Sequence, residues 1–295
     1  MVNVYRPDTL PQALDKLAVG EHTVFAGGTD LMVRHSVRSG MAPNFAHDVV
    51  FVDAIEELRS IRVVDDGVHK ALYIGAAAVL ADLVEHPLVP AILRRSVAGI
   101  AAPALRNRAT LAGNICNASP AADSLPALYV LDAKVVLKSV RGQREIPLAE
   151  FIQAPGLTTL KANEMLTEVV IPCNEFTHTF YHKVGTRAAN ALSKLSVAGL
   201  AKVDGSADEG SEKLITDWRV AFGAVGPTVV RSEELESLLV GQPVEKLRHP
   251  AFLEQLVGCY SEIICPIDDQ RSTARYRHQA SVNLLRRWLE QLGYC

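Results

Sequence analysis

The sequence has little of what marks a specialised chain. Cysteine is scarce: five residues in 295, odd in number and far apart at Cys116, Cys173, Cys259, Cys265 and Cys295. No Cys-x-x-Cys pair occurs, which excludes a disulfide framework or a zinc site of ordinary spacing and leaves reduced thiols, as in a cytoplasmic protein. There is no surplus of either charge. Lys and Arg total 30 against 33 Asp and Glu, a net charge of −3. A general nucleic-acid binder needs a basic excess to neutralise phosphates, so that class is excluded. No apolar run reaches the roughly 18 residues of a membrane span. The start, Met1-Val2-Asn3-Val4-Tyr5-Arg6-Pro7, has no apolar signal core. Glycine (19) and proline (15) are not enriched, so low-complexity and collagen-like architectures are excluded. What remains is 48% hydrophobic and 21% charged, a globular composition. At roughly 150 residues per domain, the length predicts about two domains.

Periodicity predicts an α+β fold. Asp8-Thr9-Leu10-Pro11 reads as a helix start, with Leu10, Leu14 and Leu17 on one face. A strand, His22 to Ala26, runs into Gly27-Gly28 and a helix over Leu31 to Val37. Val49 to Val52 is a further strand. Two hairpins follow: Ile61 to Val64 with Leu72 to Ile74 around Asp65-Asp66-Gly67, and Lys134 to Lys138 with Arg141 to Ile146. The intervening 79–105 stretch is helical, broken by Pro87, Pro90 and Pro103. Met165 to Ile171 closes this half as a strand. A seam near 172–176 separates domains 1–174 and 175–295. The second contains strands Phe180 to Val184, Leu195 to Val203 and Trp218 to Gly223. The polar loop Asp204 to Ser211 forms an exposed tip. Helices then cover Ser232 to Leu239, His249 to Ile264 and Thr273 to Leu292, the last with Val282, Leu285 and Leu289 on one face. Strands in runs with helices grouped around them define α+β.

Two segments carry chemistry. In Val24-Phe25-Ala26-Gly27-Gly28-Thr29-Asp30-Leu31, paired glycines lie between a strand and a helix start. Such a turn can aim successive N–H groups at a phosphate that a Cβ would keep away. A tight strand-to-helix turn would use the same glycines. The second segment, Arg106 to Asp123, is rich in small and hydrogen-bonding residues. Thr110, Asn114, Ser119 and Asp123 offer donors and acceptors to a polyhydroxyl diphosphate ligand. Ser119-Pro120 also reads as a helix cap with a first-turn proline, and Asp123 as a first-turn acid.

Together these segments resemble the FAD-binding subunit of the molybdenum hydroxylases, the xanthine dehydrogenase family. There a Gly-Gly-Thr-Asp-like loop and a Thr-x-Gly-Gly-Asn loop cradle the FAD diphosphate. Here the second loop reads Thr110-Leu111-Ala112-Gly113-Asn114, with Ala112 at the first glycine, and Ser119-Pro120-x-x-Asp123 follows. The resemblance covers nearly the whole chain, including Gly226 to Arg231 and Asp268 to Arg277.

The resemblance implies a PCMH-type FAD-binding domain of two lobes. A smaller C-terminal α/β domain with a three-stranded sheet and helices follows it. It implies non-covalent FAD held by Val24, Phe25, Ala26, Gly27, Gly28, Thr29, Asp30, Leu31, Thr110, Gly113, Asn114, Ser119 and Asp123. Ile100 and Leu166 would flank the ligand, Cys116 would pack beside the ring, and Lys183 would tune the flavin by its charge. Without the resemblance, Leu166 and Ile100 read as core and Lys183 as a surface residue. Molybdopterin and [2Fe-2S] clusters are expected only in partners, a large and a small subunit of a heterotrimeric unit. The cysteines lack ferredoxin spacing. The cysteine-bearing insertion of 4-hydroxybenzoyl-CoA reductase subunits is missing too. The implied activity is electron transfer from partner clusters through FAD to NAD+ or another acceptor, in a purine-directed, xanthine dehydrogenase-like enzyme. The alternatives are a related hydroxylase acting on CO, nicotinate, an aldehyde or another heterocycle, or a flavin-free scaffold. No acid–base dyad stands out among the nine scattered histidines, and no catalytic residue or metal site is expected. Arg271, Arg275, Arg277, Arg286 and Arg287 form either a partner-facing basic surface or a solvated helix face.

Overall fold

The computed structural model describes residues 2–38, 40–187, 190–205 and 212–294. In chain order to Cys173 the elements are β1 (Val4–Tyr5), α1 (Leu10–Ala18), β2 (His22–Phe25), α2 (Leu31–Arg34) and β3 (Asp48–Phe51). Then come β4 (Ile61–Asp65), β5 (Lys70–Gly75), α3 (Leu80–Glu85), α4 (Ala91–Ala98), α5 (Pro103–Arg106), α6 (Leu111–Cys116) and α7 (Ser124–Val130). β6 (Lys134–Ser139), β7 (Gly142–Pro147), α8 (Leu148–Phe151), β8 (Ile152–Ala154), β9 (Leu157–Thr158) and β10 (Met165–Pro172) complete this part. After it lie β11 (His178–Gly185), β12 (Ser193–Asp204), β13 (Leu214–Gly223), α9 (Glu233–Ser237), α10 (Pro250–Ile263) and α11 (Ala274–Gly293). The architecture is α+β. Two compact units are distinguished by their internal contacts. One comprises Met1–Pro90, Ile100–Ser119 and Asp132–Cys173; the other comprises Ala91–Gly99, Pro120–Leu131 and Asn174–Cys295. The chain therefore crosses between them several times.

The first unit holds two sheets. β1, β3 and β2 pair in parallel in that order. Parallel strands need a crossover connection; α1 lies between β1 and β2 along the chain and α2 between the paired neighbours β2 and β3. Thr9 caps α1, and Leu10, Leu14 and Leu17 are buried on one face against Val50, Val52, Ile55 and Leu58. The other sheet is antiparallel, ordered β4-β5-β10-β6-β7. Both expected hairpins are present, β4 with β5 and β6 with β7. The strand expected to close this half, β10, lies between them as the sheet's centre. Its buried run of Met165, Leu166, Thr167, Val169, Val170 and Ile171 suits a strand with neighbours on both sides.

In the second unit, β11, β12 and β13 form an antiparallel meander. One core joins Trp218 and Phe222 of the sheet to Leu253, Leu256 and Tyr260 of α10 and Leu285, Trp288 and Leu289 of α11. α7 packs on β12 and β13. A Cβ at Gly223 would lie 2.8 Å from the Pro126 ring, so glycine permits this approach.

Several expectations need correction. The helix after Leu31 ends at Arg34, well before Val37. The helix expected from Ser232 to Leu239 is reduced to Glu233–Ser237, with Ser232 as its cap. Ser119 caps no helix: α7 begins at Ser124, and Asp123 stands at its cap position. The arginines near the C-terminus are largely used within the chain. Arg277 is buried and pairs with Asp269, Arg271 also faces Asp269, and Arg286 pairs with Glu254 of α10; Arg275 and Arg287 alone of the five are exposed. Of the expected loop tip, residues 206–211 lie outside the described residues, as does Cys295.

Candidate functional site

The first glycine segment forms the turn between β2 and α2. Gly28 has φ +75°, a left-handed conformation that L side chains resist. A Cβ there would also strike the Phe25 ring, 2.1 Å away. Gly27 is constrained differently. Its Cβ would fall 2.0 Å from the Arg108 carbonyl oxygen, so this turn meets the second segment backbone to backbone. Both glycines thus have a packing role, as the tight-turn reading required. The turn has more to offer, however. The N–H groups of Gly27, Gly28, Thr29, Asp30 and Leu31 have no hydrogen-bond partner among the described residues. Gly27, Gly28 and Thr29 are half-buried and Asp30 is exposed, and the five donors are consecutive along the chain. Neighbouring N–H groups free to converge make an anion nest. Val24 lies half-buried in β2, Phe25 is buried against Phe51 with ring centroids 4.3 Å apart, and Ala26 and Leu31 are half-buried.

The second segment lies directly against that turn. Thr110 caps α6, its Oγ1 accepting from Gly113 N at 3.0 Å. Gly113 is exposed and Asn114 half-buried. Ala112 is buried inside α6 with no positive φ, so alanine is unstrained where the resemblance has glycine. Cys116 is surrounded closely enough that burial pushes its thiol up to about 12. That keeps the half-buried thiol protonated near neutral pH. Ile100 is half-buried, and Arg106 Nη1 donates to the carbonyls of Ile100 at 2.9 Å and Ala101 at 3.2 Å. Leu166 is buried in β10 opposite Leu137, a core position. Ser119 is half-buried.

Asp123 and Lys183 belong to the other unit and meet there. Lys183 Nζ donates to Asp123 Oδ2 at 2.6 Å and to the Gly99 carbonyl at 2.8 Å. The Ser193 hydroxyl donates to Asp123 Oδ1, and the Tyr181 hydroxyl reaches the Asp123 carbonyl at 3.4 Å. Burial raises the Asp123 carboxyl above the usual range, with Lys183 pulling the other way. Lys183 is thus no surface lysine, and its charge is matched by a carboxylate. Ser193 and the Gly99 carbonyl were not foreseen, since nothing local in the sequence joins positions so far apart.

The two remaining motif segments act as structural ties. Arg231 binds both carboxylate oxygens of Glu236 at 2.9 Å, and Glu236 accepts from Val220 N. Asp269 accepts from Arg271 N and from the Arg277 guanidinium, which holds its carboxyl down at about 2. Among the described residues no group of histidine, cysteine and acidic side chains could hold a metal, and no helix is long and apolar enough to cross a membrane.

Comparison with known proteins gives this geometry a family. Residues 1–174 match the FAD binding domain in molybdopterin dehydrogenase, and residues 180–292 match the CO dehydrogenase flavoprotein C-terminal domain. The chain belongs to the family of FAD-binding subunits of molybdenum hydroxylases. It is 28% identical to the xanthine dehydrogenase FAD-binding subunit of Escherichia coli O157:H7, over 92% of this chain and 89% of that one. It is 31% identical to the nicotinate dehydrogenase FAD-subunit of Eubacterium barkeri, over 81% and 80%. A solved carbon monoxide dehydrogenase from Hydrogenophaga pseudoflava superposes with a TM-score of 0.84 at 25% identity, covering 98% of this chain and 96% of that one.

Proposed function

We propose that this chain holds FAD non-covalently, its diphosphate on the row of N–H groups from Gly27 to Leu31, with Thr110, Gly113 and Asn114 alongside. The observation that carries this is the row itself: five adjacent backbone donors without a hydrogen-bond partner among the described residues, at a turn that the second segment supports from behind. Unpaired amides are costly when shielded and favourable when an anion meets them. The resemblance assigns Ser119, Cys116, Ile100, Leu166, Asp123 and Lys183 to the cofactor as well. For Lys183 the expected effect on the flavin is reduced, because Asp123 already balances its charge. Bound FAD would supply electron acceptance one at a time and hydride transfer. The chain's own part is to bind and orient it. The flavin-free reading rested on Ala112, and the unstrained helical conformation there removes its support.

The chain acts, on this reading, as the cytoplasmic FAD subunit of a heterotrimeric molybdenum hydroxylase. A large molybdopterin subunit and a small [2Fe-2S] subunit are its partners, and NAD+ or another oxidant is the acceptor. The xanthine dehydrogenase-like assignment rests on the Gly27-Gly28-Thr29-Asp30 form of the turn. Identity to relatives named for xanthine, nicotinate and carbon monoxide is nearly level, at 28%, 31% and 30%. Choice of substrate accordingly belongs to the large subunit. The test is reconstitution: the purified chain with added FAD should show a bound-flavin spectrum at one FAD per chain. Co-expressed with its partners it should couple xanthine oxidation to NAD+ reduction. A chain that takes up no flavin refutes the first statement. A complex active on another heterocycle refutes only the second.

A further inference from the structure

A charge cluster beside the first glycine turn has no part in the reading so far. Asp53 follows β3, and its carboxylate faces two guanidiniums, Arg6 Nη2 at 3.7 Å and Arg108 Nη2 at 3.7 Å. Neither arginine is within hydrogen-bond distance, and Asp53 Oδ1 is shielded from solvent without a hydrogen-bond partner. Both arginine side chains are more than half exposed, 60% and 57%. Two cations face one carboxylate, so one positive charge is left unmatched. The cluster adjoins the turn through both neighbours. The Arg108 carbonyl occupies the space where a Gly27 Cβ would be. The Arg6 guanidinium lies 4.9 Å over the Phe51 ring, which packs on Phe25 beneath Gly28.

We propose that Arg108 is an ionic partner of the cofactor's diphosphate, kept beside the glycine turn by Asp53. This rests on the FAD reading of that turn and adds a residue to it. A diphosphate brings two negative charges to N–H groups that carry only partial positive charge. A guanidinium supplies full charge and a planar pair of donors that matches phosphate oxygens. The Arg108 backbone already touches Gly27, which places its flexible side chain within reach of an anion on the nest. The long contact to Asp53 orients the guanidinium without engaging it in a short bond that binding would have to break. Arg6, stacked on Phe51, balances Asp53 when Arg108 turns to the ligand.

The experiment titrates FAD, ADP and riboflavin into the purified, flavin-stripped full chain at low and high salt. Binding is followed by fluorescence and calorimetry. ADP carries the diphosphate; riboflavin does not. Arg108→Gln is expected to weaken FAD and ADP about tenfold, the scale of one charge-assisted hydrogen bond. It should flatten their salt dependence and leave riboflavin unchanged. Arg108→Lys should restore most of the salt dependence, and Asp53→Asn, which removes the carboxylate that orients Arg108, should weaken both diphosphate ligands less than Arg108→Gln does. If wild type binds FAD and ADP and Arg108→Gln binds them equally well, or loses riboflavin to the same extent, this inference falls and the FAD reading stands. If wild type binds neither, both fall. Should Arg108→Gln fail to fold, Asp53→Asn decides: a folded variant that binds FAD and ADP as tightly as wild type overturns the proposal.

Discussion

The polar clusters of the two units are organised in opposite ways. In the first unit, the turn after β2 leaves consecutive N–H groups without partners among the described residues, beside arginines held only loosely. In the second, Asp123, Lys183, Ser193 and the Gly99 carbonyl satisfy one another and are largely shielded from water. On the proposed reading, the first arrangement is organised to receive a ligand. The second is closed on itself and ties α7, β11 and β12 together. Polar groups withheld from internal bonds are the better sign of a binding site, because a folded chain otherwise pairs what it buries.

The sharpest way to break this contrast is Asp123→Asn. A closed cluster left with a buried, unmatched ammonium should lose about 3–5 kcal/mol of stability, measured by denaturant unfolding of the flavin-free chain. The double variant Asp123→Leu with Lys183→Met should recover much of that loss. If Asp123→Asn instead lowers only flavin occupancy, the cluster is open to the ligand and the contrast is wrong. Gly27→Ala comes next. A Cβ against the Arg108 backbone cannot be absorbed by a side-chain shift, and overpacking of this kind costs about 1–3 kcal/mol. Here both the melting temperature and the flavin-to-protein ratio should fall.

A smaller effect separates the acids of the second unit by pH. Asp269 has its carboxyl depressed to about 2 by the Arg277 guanidinium. A folded value below the ordinary 3.8 means stabilisation that is present above pH 4 and lost as pH falls towards 2. Asp123 and Glu236 are raised by burial. Their effect has the opposite sign, present below the ordinary carboxylate values and lost as pH rises through the elevated ones. Acid unfolding of Asp269→Asn should lack the loss between pH 4 and 2, with lower stability than wild type at pH 7. The smallest expected change tests backbone strain in each unit. Ala118 and Ala224 have φ of +47° and +62°. Replacing either with glycine should change stability by less than about 1 kcal/mol, since relief of the left-handed penalty is set against glycine's entropic cost and the loss of a buried methyl.

Much of this protein could be read from local pattern. The α1 cap and its leucines, the two hairpins of the first unit, the three-stranded meander and the long C-terminal helix all follow from spacing. The element ends were less legible. Leu31 to Val37 has helical periodicity, yet the helix stops at Arg34: His35 turns to the Asn44 carbonyl and the Phe45 ring, and Ser36 and Val37 are exposed. Ser119-Pro120 has the form of a cap, but the chain spends four further residues before α7 begins. Asp123 reaches the cap position and turns its carboxylate to Lys183 instead. Of the candidate site, the glycine turn and the Thr110 loop were visible as motifs. Arg108 lay inside the second motif unnoticed, and Asp53 and Ser193 carried no signal.

The sequence alone determined the α+β class, the placement of the first glycine segment at a helix start and the absence of a local iron–sulfur or zinc spacing. Each of these depends on neighbours along the chain, where periodicity and turn chemistry act. Tertiary structure decided the rest. It put β10 between two hairpins, grouped α4 and α7 with the residues after Cys173, and set Gly27 against Arg108. It also matched Lys183 to Asp123, 60 positions away. Those outcomes depend on which buried surfaces and charges meet across long separations, and no single stretch of sequence contains both halves of such a contact.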